Sequence, residues 1–123
     1  MATPTTATNI PTLEESHTLS VADKAFLREV ATKIRGVEPE AEILLYGSRA
    51  RGDAREDSDW DLFLILPERP DAVRRHALYA ATGEYMYDER TYLSILIEHR
   101  ERYRERAPWH AFLHNVHEDA VRL

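Results

Sequence analysis

One segment in the middle of the chain places the tightest constraint on its fold. A glycine–serine step, Gly47-Ser48, directly follows an apolar run that is typical of a β-strand. After a polar stretch, a second apolar run opens with Asp59-Trp60-Asp61. Since successive side chains of a strand point to opposite faces, Asp59 and Asp61 are expected on one face, about 7 Å apart, with Trp60 on the other. The segment therefore predicts a strand–turn–strand unit that presents two carboxylates beside the turn.

The two halves of this unit carry complementary chemistry. Carboxylates on one strand face are ligands of the kind that Mg²⁺ takes together with water and substrate phosphates. A glycine lets the backbone approach a phosphate closely, and the free N–H groups that open a following short helix form an anion site. The hydroxyl of Ser48 and the guanidinium groups of Arg49 and Arg51 are further candidate phosphate ligands. This combination of residues favours nucleotide and metal chemistry.

The motif formed by Gly47-Ser48, a spacer and Asp59-Trp60-Asp61-Leu62 resembles the signature of the DNA polymerase β-type nucleotidyltransferase superfamily. The short length and the Gly-Ser-Arg-Ala-Arg-Gly form narrow the resemblance to minimal nucleotidyltransferase (MNT) domains, some of which are the antitoxins of HEPN–MNT pairs. The resemblance implies an α+β fold. It would contain a small mixed sheet of three or four strands, with helices packed mainly on one face.

The resemblance also implies a reaction. A domain of this kind transfers a nucleoside monophosphate, AMP from ATP, to a hydroxyl acceptor with one or two Mg²⁺ ions. For an MNT antitoxin the acceptor is a tyrosine of a partner HEPN-type toxin. Carried onto this sequence, the metal-binding and catalytic residues are Asp59 and Asp61, and the nucleotide-binding residues are Gly47, Ser48, Arg49 and Arg51.

The third carboxylate of the superfamily has no clear counterpart. It usually comes from the strand after the second helix, but the third strand predicted here, residues 91–97, contains no acid. Asp88 and Glu89 stand just before this strand, and Asp88 is the candidate for the catalytic role. Without it, the chain is a catalytically degenerate nucleotidyltransferase-fold protein that acts as a binding or antitoxin module. A third alternative is an enzyme that acts on a small hydroxylated molecule or an RNA 3′ end.

Composition limits the remaining possibilities. The 123 residues fit one domain, which we place at residues 19–123 after a mobile tail over residues 1–18 that is rich in Thr, Ala and Pro. The net charge of −6 argues against broad non-specific binding of nucleic acid. The absence of cysteine, of a long apolar run and of a signal-peptide pattern leads us to expect a cytoplasmic protein without a membrane segment.

Apolar spacing predicts the other elements: helices over 21–35 and 71–85, strands over 41–46, 59–66 and 91–97, an exposed helix over 98–106, a last helix from Pro108 and a short closing strand over 120–123. The buried stripe of the second helix is predicted to contain Val73, Ala77, Ala80 and Ala81, and that of the last helix Trp109, Phe112, Leu113, Val116 and Ala120.

His110, His114 and His117 share one stripe of the last helix, with a spacing that can chelate zinc. Because this stripe borders the apolar face, structural or solvent-exposed roles are predicted for them.

Overall fold

A computed structural model describes residues 9–86 and 92–123, which form five helices and four strands. In chain order these are α1 Val21–Val37, β1 Glu42–Tyr46, α2 Ser48–Arg51, β2 Trp60–Leu66, α3 Ala72–Met86, β3 Leu93–His99, α4 Arg100–Arg106, α5 Ala111–Asp119 and β4 Val121–Arg122. No helix among these residues is long and apolar enough to cross a membrane.

The four strands form one mixed sheet in the order β3-β2-β1-β4. β1 runs antiparallel to both β2 and β4, whereas β2 and β3 are parallel. The register places Tyr46 of β1 opposite Asp61 of β2, and Asp61 opposite Ser94 of β3. The structure confirms the α+β class and the small mixed sheet that the sequence predicted.

Both faces of the sheet are covered by helices. Trp60, Leu62 and alternate residues beyond them pack under the two longest helices, α1 and α3. Phe63 and Ile65, on the opposite face of β2, pack under the shorter α4 and α5. The alternation confirms that the side chain of Trp60 lies on the face of β2 opposite to that of Asp61, and the face that carries Asp61 is also partly covered by helices. Asp61, which shares that face by register, is partly buried.

Helix α1 forms where the sequence predicted it. Ser20 accepts a hydrogen bond from the backbone N–H of Asp23, whose carboxylate in turn accepts from the Ser20 N–H. This capping box satisfies two of the free N–H groups of the first turn. Leu27, Val30 and Ile34 are fully buried, so the apolar stripe of α1 supplies a large part of the main core.

The buried stripe predicted for the second helix is wrong. Val73 is 78% exposed, and the residues of α3 that are buried are Leu78, Thr82 and Tyr85. The larger side chains determine how the helix docks, because they bury more apolar area than alanine does. Tyr85 packs edge-on against Phe26, with ring centroids 5.6 Å apart.

Docking of α3 also involves an ion pair that the apolar pattern did not predict. Arg74 donates through Nε and Nη2 to the two carboxylate oxygens of Glu38, each at 2.9 Å. The Glu38 side chain is almost completely buried. A two-point contact with a guanidinium is the arrangement that makes such a buried carboxylate tolerable.

The prediction of a mobile tail over residues 1–18 is wrong for the part that the structure describes, which begins at residue 9. Ile10 and Leu13 are buried. The N–H of Leu13 donates to the Arg122 carbonyl at 2.8 Å, and the Arg122 N–H donates to the Pro11 carbonyl at 2.8 Å. The segment thus pairs with the free edge of β4, because two apolar side chains and an unpaired strand edge compensate for its ordering.

The C-terminal part differs from the prediction in detail. The third strand extends to His99, α4 is correspondingly shorter, and the Tyr103 side chain of α4 is buried. In α5, Leu113 and Val116 are buried as expected, but Trp109 lies before the helix and is 70% exposed. The closing strand is confirmed as β4.

The histidine stripe has structural and surface roles. His110 precedes α5, His114 is exposed, and His117 hydrogen-bonds through Nε2 to the Tyr103 hydroxyl. Among the described residues no group of three or more His, Cys, Asp or Glu side chains is arranged to hold a metal ion.

His117 makes the stability of the fold dependent on pH. Burial, and to a lesser extent the charge of His114, lower the pKa of His117 below its ordinary value of 6.5. The unfolded chain therefore binds more protons between the two pKa values, so stability rises with pH through that window and is lost as the pH falls below 6.5. We expect His117→Phe to flatten the dependence of the melting temperature on pH in this range. His76→Phe, on the exposed side of α3, should leave the dependence unchanged, and an unchanged profile in His117→Phe would contradict this assignment.

Candidate active site

The turn after β1 presents unused backbone donors. The N–H groups of Ala50 and Arg51 donate to the Gly47 carbonyl, at 3.1 and 3.0 Å. The N–H groups of Ser48 and Arg49 and the Ser48 hydroxyl have no hydrogen-bond acceptor within the described residues. Free N–H groups at the start of a helical turn attract phosphate oxygens. The predicted phosphate-binding turn is therefore available for that role.

Asp61 lies directly against this turn. The backbone of Gly47 has φ +78°, a conformation that L side chains rarely adopt. A Cβ atom added to Gly47 would lie only 2.7 Å from Oδ2 of Asp61. Pairing of β1 with β2 produces this approach, because it puts Tyr46 opposite Asp61. Glycine is thus required both by the turn and by the carboxylate beside it.

The two predicted carboxylates interact. β2 begins at Trp60, so Asp59 lies immediately before the strand and is exposed, whereas Asp61 is partly buried. Burial, and then the negative charge of Asp59, raise the pKa of Asp61. A cation between the two groups would remove this repulsion. Two carboxylates, with other positions left to water and phosphate oxygens, fit the oxygen ligands that Mg²⁺ prefers.

Tyr46 belongs to the same group of residues. Burial and the charge of Asp61 raise the pKa of Tyr46 to about 12. Its phenol therefore stays neutral at physiological pH and is able to donate a hydrogen bond next to Asp61. Its ring packs edge-on against Phe112, with centroids 5.8 Å apart.

Arg49 is held by the loop that precedes β2. It donates through Nε and Nη2 to the Ser58 carbonyl, at 3.2 and 3.0 Å, and through Nη2 to the Glu56 carbonyl at 3.0 Å. Its guanidinium carbon lies 4.5 Å from the centroid of the Trp60 ring. These contacts fix the loop that leads to Asp59. Binding of phosphate by Arg49 remains a prediction.

Arg51 is paired with two acids. It donates through Nε to Asp53 and through Nη1 to Asp119, each at 3.2 Å. It therefore links the end of α2 to α5. Its predicted contact with phosphate would require exchange of these exposed ion pairs, which in general contribute little to stability.

The described part of β3 supplies no carboxylate beside Asp61. The residue opposite Asp61 is the exposed Ser94. Glu98 stands near the far end of the strand and pairs with Arg102 at 3.7 Å. Asp88 and Glu89 lie outside the described residues, so the catalytic role proposed for Asp88 stays a prediction.

Three neighbours of the site were not singled out from the sequence. Tyr46 and Ser94 flank Asp61 through strand register, and Thr18 donates through its hydroxyl to the Ala50 carbonyl of α2 at 2.9 Å. Tyr46 was recognisable as the residue before the glycine step. The other two depend on a parallel register and on a long-range contact, for which the sequence has no local signal.

Comparison with known families gives a match that covers most of the chain. The family model described as a nucleotidyltransferase domain matches residues 24–121, a range that contains the turn, both carboxylates and all four strands up to the first residue of β4. Neither the curated proteins nor the solved structures gave a match. The chain belongs to the nucleotidyltransferase domain family.

Proposed function

We propose that this domain transfers AMP from ATP to a hydroxyl group of a partner protein, with Mg²⁺ held by Asp59 and Asp61. The observation that carries the proposal is the contact between the turn and the carboxylate: a Cβ on Gly47 would lie 2.7 Å from Asp61 Oδ2. The backbone N–H groups that would bind phosphate and the carboxylates that would bind the metal are thus adjacent, within a domain of the nucleotidyltransferase family. The choice of a tyrosine on a HEPN-type toxin as acceptor rests on the resemblance to MNT antitoxins.

The backbone N–H groups of the turn and the two carboxylates have different parts in this reaction. The acceptor oxygen forms a bond to the α-phosphorus, the bond from that phosphorus to the β-phosphate oxygen breaks, pyrophosphate leaves, and the acceptor proton passes to solvent or to a carboxylate. The N–H groups of Ser48 and Arg49 bind and orient the outer phosphates. Asp59 and Asp61 would hold the ion, which would supply charge stabilisation at the reacting phosphate.

Labelled ATP tests the reaction type. The purified protein is incubated with Mg²⁺, a co-expressed HEPN-type partner and ATP labelled at either the α- or the γ-phosphate. We expect the α-label on a tyrosine of the partner and the γ-label in pyrophosphate. Transfer of the γ-label to protein would contradict nucleotidyl transfer. Transfer of the α-label to a small molecule or an RNA 3′ end, in the absence of the partner, would contradict the proposal of a protein acceptor but not the proposal of nucleotidyl transfer.

One observation favours a second candidate function, a binding module that neutralises its partner by contact. The described part of β3 supplies no acid beside Asp61, where it carries Ser94, whereas the resembled superfamily usually takes a third acid from this strand. For a binding module, an Asp59→Asn/Asp61→Asn variant would neutralise the partner as well as the wild type does. For the proposed enzyme, the same variant would lose neutralisation together with the label.

A further inference from the structure

The sheet has one covered edge and one edge that no described segment covers. At the covered edge, β4 pairs with residues 11–13 through the hydrogen bonds that Pro11 and Leu13 make with Arg122. β3 forms the other edge and, among the described residues, pairs only with β2. An unpaired strand edge is a template for pairing with another chain, and proteins usually protect it with charged side chains, proline or a covering segment. The edge of β3 is therefore a candidate interaction surface.

The hydrogen bonds between β2 and β3 determine which backbone groups of β3 point outward. The N–H of Trp60 donates to the Tyr92 carbonyl at 2.7 Å, so the backbone groups of Tyr92 face β2. Because the backbone groups of successive strand residues point to alternate sides, those of Leu93, Ile95 and Ile97 point away from the sheet. Within the described residues these N–H and C=O groups have no hydrogen-bond partner. The edge thus presents a row of free donors and acceptors.

The side chains at this edge are uncharged and incompletely buried. No residue from Leu93 to Ile97 carries a charge. Leu96 is 42% exposed, and Ile95 and Ile97 are only partly buried against the main core. The strand therefore lacks the charges and the proline that usually keep strand edges apart. In a chain with a net charge of −6, this neutral stretch is a place where two copies can approach without placing like charges opposite each other.

We propose that β3 pairs with β3 of a second copy of this chain, antiparallel about a two-fold axis at Ile95. Directly opposite residues of an antiparallel pair point to the same face of the sheet. The residues that face each other across the interface are Ile95 and Ile95, Leu93 and Ile97, and Ser94 and Leu96. All outward N–H and C=O groups from Leu93 to Ile97 then have partners, and the two four-stranded sheets become continuous. A two-fold interface of this kind uses the same surface of both copies.

An axis one residue away on either side pairs fewer groups. With the axis at Leu96, Leu93 would face His99, whose N–H already donates to Glu98 Oε1 at 3.1 Å. With the axis one residue before Ile95, the last outward residue of one strand would pass the start of β3 in the second copy. The axis at Ile95 avoids both losses, because it joins only residues whose outward groups are free.

This pairing brings the second copy close to the candidate active site. Ser94 is exposed and lies opposite Asp61, on the same face of the sheet. Leu96 of the second copy would lie beside Ser94 on that face, with its Cα about 10 Å from that of Asp61, because two strand spacings separate them. Each copy would thus form part of the wall of the other's site. Dimer formation itself does not depend on the proposed reaction.

Charges placed at the two-fold axis test the pairing. In equilibrium sedimentation the full chain should have about twice the mass of one chain. Ile95→Lys puts like charges directly opposite each other and should raise the dissociation constant of the dimer about 100-fold or more. Ile95→Glu should have the same effect, whereas an equimolar mixture of the two variants should form dimers again. Val73→Lys, on the exposed side of α3, is the control and should remain dimeric.

A second variant separates loss of the interface from loss of the fold, because Ile95 is partly buried. Leu96 is more exposed, so Leu96→Lys changes the edge without removing a core side chain. It removes apolar contact with the second copy and puts two charges on neighbouring positions of the joined sheet. Leu96→Lys should therefore weaken the dimer while its circular dichroism spectrum stays that of the wild type.

Single cysteines test the register, because the chain contains no cysteine of its own. With the axis at Ile95, the two Cα atoms of this residue are about 5.5 Å apart, which is within the range for a disulfide. Ile95→Cys should therefore form a covalent dimer under mild oxidation. The two copies of Tyr92 are about 20 Å apart along the strands, so Tyr92→Cys, on the same strand and exposed, should not cross-link.

A wild type that stays monomeric at its highest soluble concentration would contradict the pairing, as would a dimer that survives both Ile95→Lys and Leu96→Lys. Failure of the mixed charge variants to dimerise, or equal cross-linking of Ile95→Cys and Tyr92→Cys, would contradict the two-fold axis at Ile95. If the wild type alone is monomeric and Leu96→Lys abolishes binding of the HEPN-type partner, the edge binds that partner and not a second copy. None of these results bears on nucleotidyl transfer, which labelled ATP tests separately.

Discussion

The Asp61→Asn variant is expected to transfer nucleotide about 10³-fold more slowly than the wild type, or not at all. Asparagine keeps the size of the side chain but removes the charge that holds a divalent cation against the phosphates. Asp59→Asn should act in the same direction, because its charge acts on the same site. Initial rates with α-labelled ATP measure the effect.

The Asp61→Asn substitution, which lowers the transfer rate, should not lower the stability of the fold. Burial and Asp59 raise the pKa of Asp61, so the ionised carboxylate is disfavoured in the metal-free fold at neutral pH. The variant should melt at the same temperature as the metal-free wild type or higher. Asp57→Asn, in the exposed loop, is the matched control and should keep both rate and stability. Full transfer by Asp61→Asn would contradict the assignment of this residue.

Gly47→Ala is expected to damage both the fold and the site. The added methyl group meets Asp61 Oδ2 at 2.7 Å, and the backbone must keep φ +78°. Strain of this kind costs about 1–3 kcal/mol of stability. The added methyl group should displace the Asp61 carboxylate by up to about 1 Å, which should lower the rate of nucleotide transfer about 10²-fold. Chemical denaturation and the labelled-ATP rate measure the two effects.

Gly83→Ala is the matched control for this substitution. Gly83 lies inside α3, its φ is not positive, and no described atom beyond its chain neighbours and its own helix backbone lies within 4 Å of an added Cβ. Alanine there should stabilise the protein by about 0.5–1 kcal/mol and leave transfer unchanged. If Gly47→Ala were as stable and as active as Gly83→Ala, the close approach of turn and carboxylate would not exist in solution.

Period-two alternation assigned the side chains of β2 to the correct faces of the sheet. Almost all of its seven residues are large and apolar, so the two faces differ only in which helices cover them. Apolar spacing failed to predict the buried side of the helix α3, because alanines give no clear stripe there and Leu78 and Tyr85 determine which side faces the sheet. It also failed at Ile10 and Leu13, since a segment rich in Thr and Pro has no period of its own. Their burial depends on the distant edge of β4.

The candidate site shows the same division. The proximity of Gly47 to Asp61 was predictable because both residues belong to one local strand–turn–strand unit. The position of Ser94 beside Asp61 depends on the parallel register of β3, which no sequence pattern specifies. The contacts of Arg49 with the Ser58 carbonyl and Trp60 were also unpredictable, because an arginine after a glycine turn is equally compatible with a phosphate.

Isothermal titration with ATP, with and without Mg²⁺, tests the central claim most directly, because it requires no acceptor. The wild type, an Asp59→Asn/Asp61→Asn variant and the Asp57→Asn control are compared. The assembled site predicts binding by the wild type and the control only when Mg²⁺ is present, and no binding by the double variant. Equal binding by all three proteins, or no dependence on Mg²⁺ in the wild type, would contradict a metal–nucleotide site at these carboxylates.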